Sequence, residues 1–341
     1  MTDSKMITRK AIDISGRLGS FYDAAYDEVI ANQPYQASSV HQSKKPVVCK
    51  VFSGVESVDL IDYLKEMDID DALQLSILCD MIKPTGISTL IDYDQPVDKN
   101  ICFFYYCYRS REEELVEEDI DALLGSSSIP NRITHMIFRI LWGFEILCAV
   151  PIADHQSVVD VDNLLRNISD RLQNSTNKFV LTDVEHGQIA QLANGMVYGS
   201  EKCIKNINNS LLNVLTSLER WKKQENSHHP LIYTIYPLGN RESNNHLPKV
   251  LYVSEQNNPD VAHIRTAILS MNKAVANIKT LFNGIPNELE KAVLNQQWLG
   301  YQQQFREFLD TLEKFRKALK QTLVDVRRND CNNMLVNNRS I

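Results

Sequence analysis

The sequence predicts an α+β protein: a bent antiparallel sheet with flanking helices, followed by an α-helical hairpin or bundle. Three observations predict it. The run NRITHMIFRILWGFEILCAV, Asn131 to Val150, is the most apolar in the chain and alternates with a period of two. Three shorter stretches, Pro46–Phe52, Ile101–Tyr108 and Leu231–Tyr236, are β-branched and aromatic and read as strands. The last third carries apolar residues at helical spacing.

The long apolar run decides the class. A membrane helix needs ~20 apolar residues with few charges, and this run contains His135, Arg139 and Glu145. Its even positions from Met136 to Val150 are apolar, whereas the odd positions are mixed. That pattern describes one long strand, or two in line, with one buried face. Gly143 inside it marks a bulge or a sharp bend. The acidic run Arg111–Asp121 reads as a solvated helix or loop.

Helices follow from a change of period. Residues 161–173 and 210–223 each place leucines, valines or Trp221 on one side. In the C-terminal third, Val261, Ile264, Ile268, Met271, Val275, Ile278 and Phe282 form an unbroken coiled-coil-like stripe. Asn258-Pro259 provides its start and Asn283-Gly284 its stop. A second helix opens at Glu288 and extends to about Arg328, with Leu289 and Val293 and then Phe305, Phe308, Leu312, Phe315 and Leu319 on one face. At ~1.5 Å per residue it is ~60 Å long, with Gly300 its weak point. Three phenylalanines on one stripe need more cover than a single partner helix gives. A three- or four-helix bundle or a homo-oligomer would supply it.

Composition excludes several functions. The 341 residues suffice for two domains. A net charge of −7 without a basic stripe argues against nucleic acid. No apolar segment of a secretory signal follows the N-terminus, so a cytoplasmic location is expected, with export by an unconventional route as the alternative. Seven scattered cysteines then read as reduced thiols. With 12 glycines and no P-loop, G-x-G-x-x-G, C-x-x-C or H-E-x-x-H, neither a cofactor nor a metal is expected, nor catalysis. His135 reads as a hydrogen-bonded structural histidine, and His228-His229 as a solvated turn.

Several segments resemble one known family in order and spacing. Thr134-His135 leading into a strand with Trp142-Gly143 resembles an element of the stonustoxin family. Gly16-Arg17-Leu18-Gly19, followed by Tyr22-Asp23-Ala24, is similar to that family's opening motif, with two or three residues missing. Met67–Leu73, Pro230–Leu238 and the paired C-terminal helices ending in Val326-Arg327 are similar to later elements, so the likeness runs from Gly16 to Arg328.

The resemblance implies a perforin-like domain over residues 1–250, related to the membrane-attack-complex and cholesterol-dependent-cytolysin fold. It further implies a focal-adhesion-targeting-like helical domain over 251–330, with a flexible tail over 331–341. Departures are equally clear. Pro84 and Pro96 suit a membrane-spanning strand poorly, and residues 155–179 place Asp160, Asp162, Arg166 and Asp170 on one alternating face. The expectation is therefore a non-catalytic protein that acts through assembly, with a protein partner or with itself, through either domain. A pore-forming effector that oligomerises on lipid is the alternative.

Overall fold

In the computed structural model, the described residues are 6–30, 35–37, 39–43, 46–53, 60–92, 100–116, 118–120, 123, 132–153, 155–174, 178–205, 207–238, 260–283 and 295–337. The chain divides into two compact units. One comprises Met1–Asp23, Glu28–Asp70 and Lys83–Pro248; the other comprises Ala24–Asp27, Asp71–Ile82 and Lys249–Ile341. A sequence division at residue 250 gives no sign of the two short segments in the second unit.

The first unit is organised by β7 (His135–Pro151), the 17-residue strand that the period of two foretells. It pairs antiparallel along its length with β6 (Ile101–Glu114), and β6 with β5 (Val47–Ser53) and β4 (Ser39–Gln42). On its other edge lie β9 (His229–Pro237) and the short β8 (Met196–Gly199), with β1 (Ile7–Lys10) outside β9. The hairpin of β2 (Phe21–Asp23) and β3 (Glu28–Ile30) meets the start of β7.

The expected bend is present. The β6 partner register shifts between Arg109 and Arg111, opposite Gly143 and Trp142, and the β9 register shifts between Leu141 and Trp142. A Cβ at Gly143 would lie 1.8 Å from the Tyr108 carbonyl oxygen, so only glycine admits this approach.

Two expectations need correction. β7 has two covered faces rather than one: Ile137, Glu145, Leu147 and Ala149 on the mixed face are as buried as Phe144 and Ile146. The even face meets α3 (Val158–Asn174) and α6 (Leu211–Lys223), with Leu165, Ile168, Leu215, Leu218 and Trp221 forming one core with Phe104, Tyr106 and Phe144. The 3-10 turn Gly86–Asp92 lies against β7. Beside it Tyr63 of α1 (Leu60–Glu66) contacts Phe52 and Phe103.

The acidic run is likewise not a solvated loop at its start. Arg111–Glu114 continue β6, where Glu112 and Glu114 pair with Arg139 of β7, and Glu113 accepts from the Trp142 indole N–H at 2.8 Å. Opposite charges on neighbouring strands offset one another, which a one-dimensional reading of charge cannot register.

The remaining helices of this unit are short. α4 (Asp183–Ala190) starts at a capping box between Thr182 and Glu185, and α5 (Glu201–Ile204) is a single turn. The four long strands β5, β6, β7 and β9 therefore carry helical insertions between the first two and between the last two.

In the second unit, α7 (Asp260–Asn283) and α8 (Asn295–Asn337) are the expected pair of long helices. α2 (Asp71–Leu78) joins them: Leu75 packs against Ile264, Leu323 and Val326. α8 runs past residue 330, where the sequence suggests a flexible tail, because extending a formed helix is far easier than starting one. Asn258, Pro259, Gly284, Leu289 and Val293, read as stop, start and stripe positions, lie outside the described residues.

Candidate interaction surface

The residues singled out in the first unit come together as a structural joint around the start of β7. Gly16 sits where a Cβ would lie 2.7 Å from both Ile137 and the Tyr233 ring. Arg17 ties the following turn by donating to the carbonyls of Ile14, Ser15 and Gly16, and its guanidinium lies 5.6 Å from the Trp142 ring centre. Leu18 is buried, and Gly19, at φ +78°, donates its N–H to the Ile137 carbonyl at 2.9 Å. That conformation favours glycine.

Tyr22 pairs with His135 across β2 and β7, and Asp23 is fully buried. The Thr134 hydroxyl donates to the Tyr22 carbonyl at 3.1 Å, so the His135 Nδ1–H donates to Thr134 Oγ1 at 2.8 Å. His135 is thus the hydrogen-bonded histidine expected. Trp142 is held between hydrogen bond and cation, with Arg111 at 4.9 Å from its ring. These residues bond and pack against one another around the start and bulge of β7.

Sequence reasoning missed the charged pair beneath them. Lys10 Nζ donates to Glu145, and the Tyr105 hydroxyl donates to the same carboxylate at 3.0 Å. Burial works against the Lys10 charge, but Glu145, with smaller contributions from neighbouring groups, holds the ammonium above its usual value. His228 and His229 are also not in a solvated turn. His228 stacks near Phe144 and Tyr108, His229 opens β9, and burial pushes both imidazoles below their usual value.

Six described cysteines are free and buried, and burial drives Cys49 and Cys102 up to about 12, so their thiols are unreactive at neutral pH. Among the described residues no three His, Cys, Asp or Glu are grouped to hold a metal. A cleft of about 630 Å³ beside β5 is lined by Lys50, Asp62, Glu66, Arg166, Asp170 and apolar neighbours, a mixed set in which Lys50 already pairs with Glu66.

The second unit contains the surface of interest. Of the stripe residues, Ile268 is fully buried, while Ile264, Met271, Val275, Phe305, Leu312 and Leu319 are partly covered. Phe308 and Phe315 remain 39% and 43% exposed, and Tyr301, seven residues earlier, is 58% exposed. The stripe is wider than its neighbours cover, so its aromatic edge faces outward. Spacings of three and four from Tyr301 give Gln304, Phe308, Thr311, Phe315, Ala318 and Thr322, a strip with no charge. The Thr311 and Thr322 hydroxyls donate to the carbonyls of Glu307 and Ala318, four residues back, and so leave their methyl groups outward.

Beneath this helix lies a buried ion pair. Arg327, fully buried, faces Asp27 at 3.2 Å and donates to the carbonyls of Ala25 and Ala72 and to Ser76 Oγ. Arg265 pairs with Asp71 in the same unit. These ties explain why 24–27 and α2 belong to the helical unit.

The fold defined by these elements is α+β, with an antiparallel sheet bulged beside Gly143 and carrying two helical insertions, and a helical unit. No family model matches the chain, and no curated protein matches it. Among solved structures the chain is similar to stonustoxin, over 97% of its own length and 44% of the stonustoxin chain, with a TM-score of 0.56 and 14% identity. The chain has the stonustoxin fold, and it spans less than half of that protein's length. Among the described residues no helix is long and apolar enough to cross a membrane.

Proposed function

We propose that this chain is a non-catalytic, cytoplasmic protein that works through protein–protein assembly, with its helical unit as the contact surface. The observation that carries this reading is the uncharged strip on α8, with Tyr301, Phe308 and Phe315 exposed in line. Aromatic side chains in a row on an otherwise charged helix are typical of protein contacts. The free buried thiols fit a reducing compartment.

A pore-forming reading is favoured by one observation, the helical insertions at the two places in the sheet where they would have to unfurl. Its difficulty is energetic. Extending α3 exposes Val161, Leu165, Ile168 and Leu172, all now in the core. At about 1.5–3 kcal/mol per side chain that costs roughly 6–12 kcal/mol. The strand formed would place Asp160, Asp162, Arg166 and Asp170 on one face, with Asn163, Asn167 and Arg171 among the residues of the other. Neither face is apolar enough for lipid. Dye release from liposomes tests the choice: no leakage is expected at micromolar protein, and leakage would overturn the assembly reading.

A further inference from the structure

We propose that the occupant of the α8 strip is a second copy of this chain, its α8 laid antiparallel so that Phe308 of each copy meets Thr311 of the other. This deepens the assembly reading and rests on it. Two properties of the helix select the arrangement.

The first is size. Antiparallel packing pairs positions across the seam in a fixed order. In this register Tyr301 lies opposite Ala318, Phe308 opposite Thr311, and Phe315 opposite Gln304, a large side chain always against a smaller one. A parallel pair would set Tyr301, Phe308 and Phe315 each against its own copy and leave Thr311 and Ala318 facing their equals, giving crowding and voids in alternation.

The second is charge. The strip is flanked on its solvent side by Glu307 and Lys314, seven residues apart. In the proposed register Glu307 of each copy lies beside Lys314 of the other, twice by symmetry. A slip of one heptad in either direction sets Glu307 against Glu307 or Lys314 against Lys314. A parallel pair sets both against Leu312 and Leu319, with no charge to meet. Only one register satisfies both flanks. Because the hydroxyls of Thr311 and Thr322 already donate within their own helix, burying them strands no donor.

Sedimentation equilibrium of the full chain tests this. The expected result is a species of twice 39.0 kDa. Glu307→Lys and Lys314→Glu should each weaken association at least tenfold, and the double reversal should restore it. Phe308→Glu should leave a folded monomer, with its far-ultraviolet circular dichroism unchanged, since 39% of the residue is already exposed. A wild-type monomer, a dimer indifferent to the single reversals, or a double reversal that does not restore association would each overturn the proposal. A monomer that also leaks no dye would overturn only this arrangement, whereas dye leakage would overturn the assembly reading beneath it.

Discussion

Arg327 is a fully buried cation in the C-terminal part of α8, and its carbonyl partner at Ala25 is 302 residues away. Removing a single member of a buried pair leaves an uncompensated charge. Arg327→Met, similar in volume, should therefore destabilise the helical unit by about 3–5 kcal/mol, read by denaturant unfolding. The pair formed by Lys10 and Glu145, 135 residues apart, is of the same kind. Neither was legible in the sequence, because nothing local distinguishes such a residue from an ordinary surface charge.

His228 and His229 carry a pH prediction at the same scale. Burial lowers both, so the unfolded chain takes up protons near pH 6.5 before the folded one does. Stability should be full above about pH 6.5 and should fall as the pH drops through that value toward the folded ones. Thermal melts between neutral and mildly acidic pH should show this slope, and His228→Phe should flatten it. A slope unchanged by that substitution would contradict the assignment.

At the scale of elements, the signals that proved legible were periodic. The period of two in β7, its glycine bend and the helical spacing of α3, α6, α7 and α8 are all set by side chains within one turn or one pleat. What failed were inferences about surroundings. Only the even face of β7 was expected to be buried, with His135 on the mixed face read as a hydrogen-bonded structural histidine. The fold instead buries His135 and Glu145 by supplying Thr134 and Lys10, while Arg139 keeps partial exposure beside Glu112 and Glu114.

Two glycines test this understanding in opposite directions. Gly143→Ala drives a methyl group into the Tyr108 carbonyl and should cost at least about 3 kcal/mol, seen as a large fall in melting temperature. Gly300, inside α8, has no atom within 4 Å of an added Cβ. Gly300→Ala should therefore stabilise the helix by about 0.5–1 kcal/mol, measured as a raised denaturant midpoint.

For the whole molecule, the motif residues Gly16, Arg17, Thr134, His135, Trp142 and Gly143 come from two distant stretches of the chain and meet at the start of β7. They converge on one joint and are used up in holding it. The surface proposed to act, the outward aromatic edge of α8, was only half visible in the sequence. The period located Phe308 and Phe315, and the shortage of cover for them was foreseeable. That α2 would cover one side of the helix pair and leave this edge open required the three-dimensional arrangement.

The proposed function is assembly without membrane perforation. Single-particle mass measurement of the full chain, in solution and again after incubation with dye-loaded vesicles, tests it most directly. One small, discrete species whose mass is unchanged by lipid, with the dye retained, is expected. Large ring-sized particles that appear only with vesicles, accompanied by loss of dye, would contradict it.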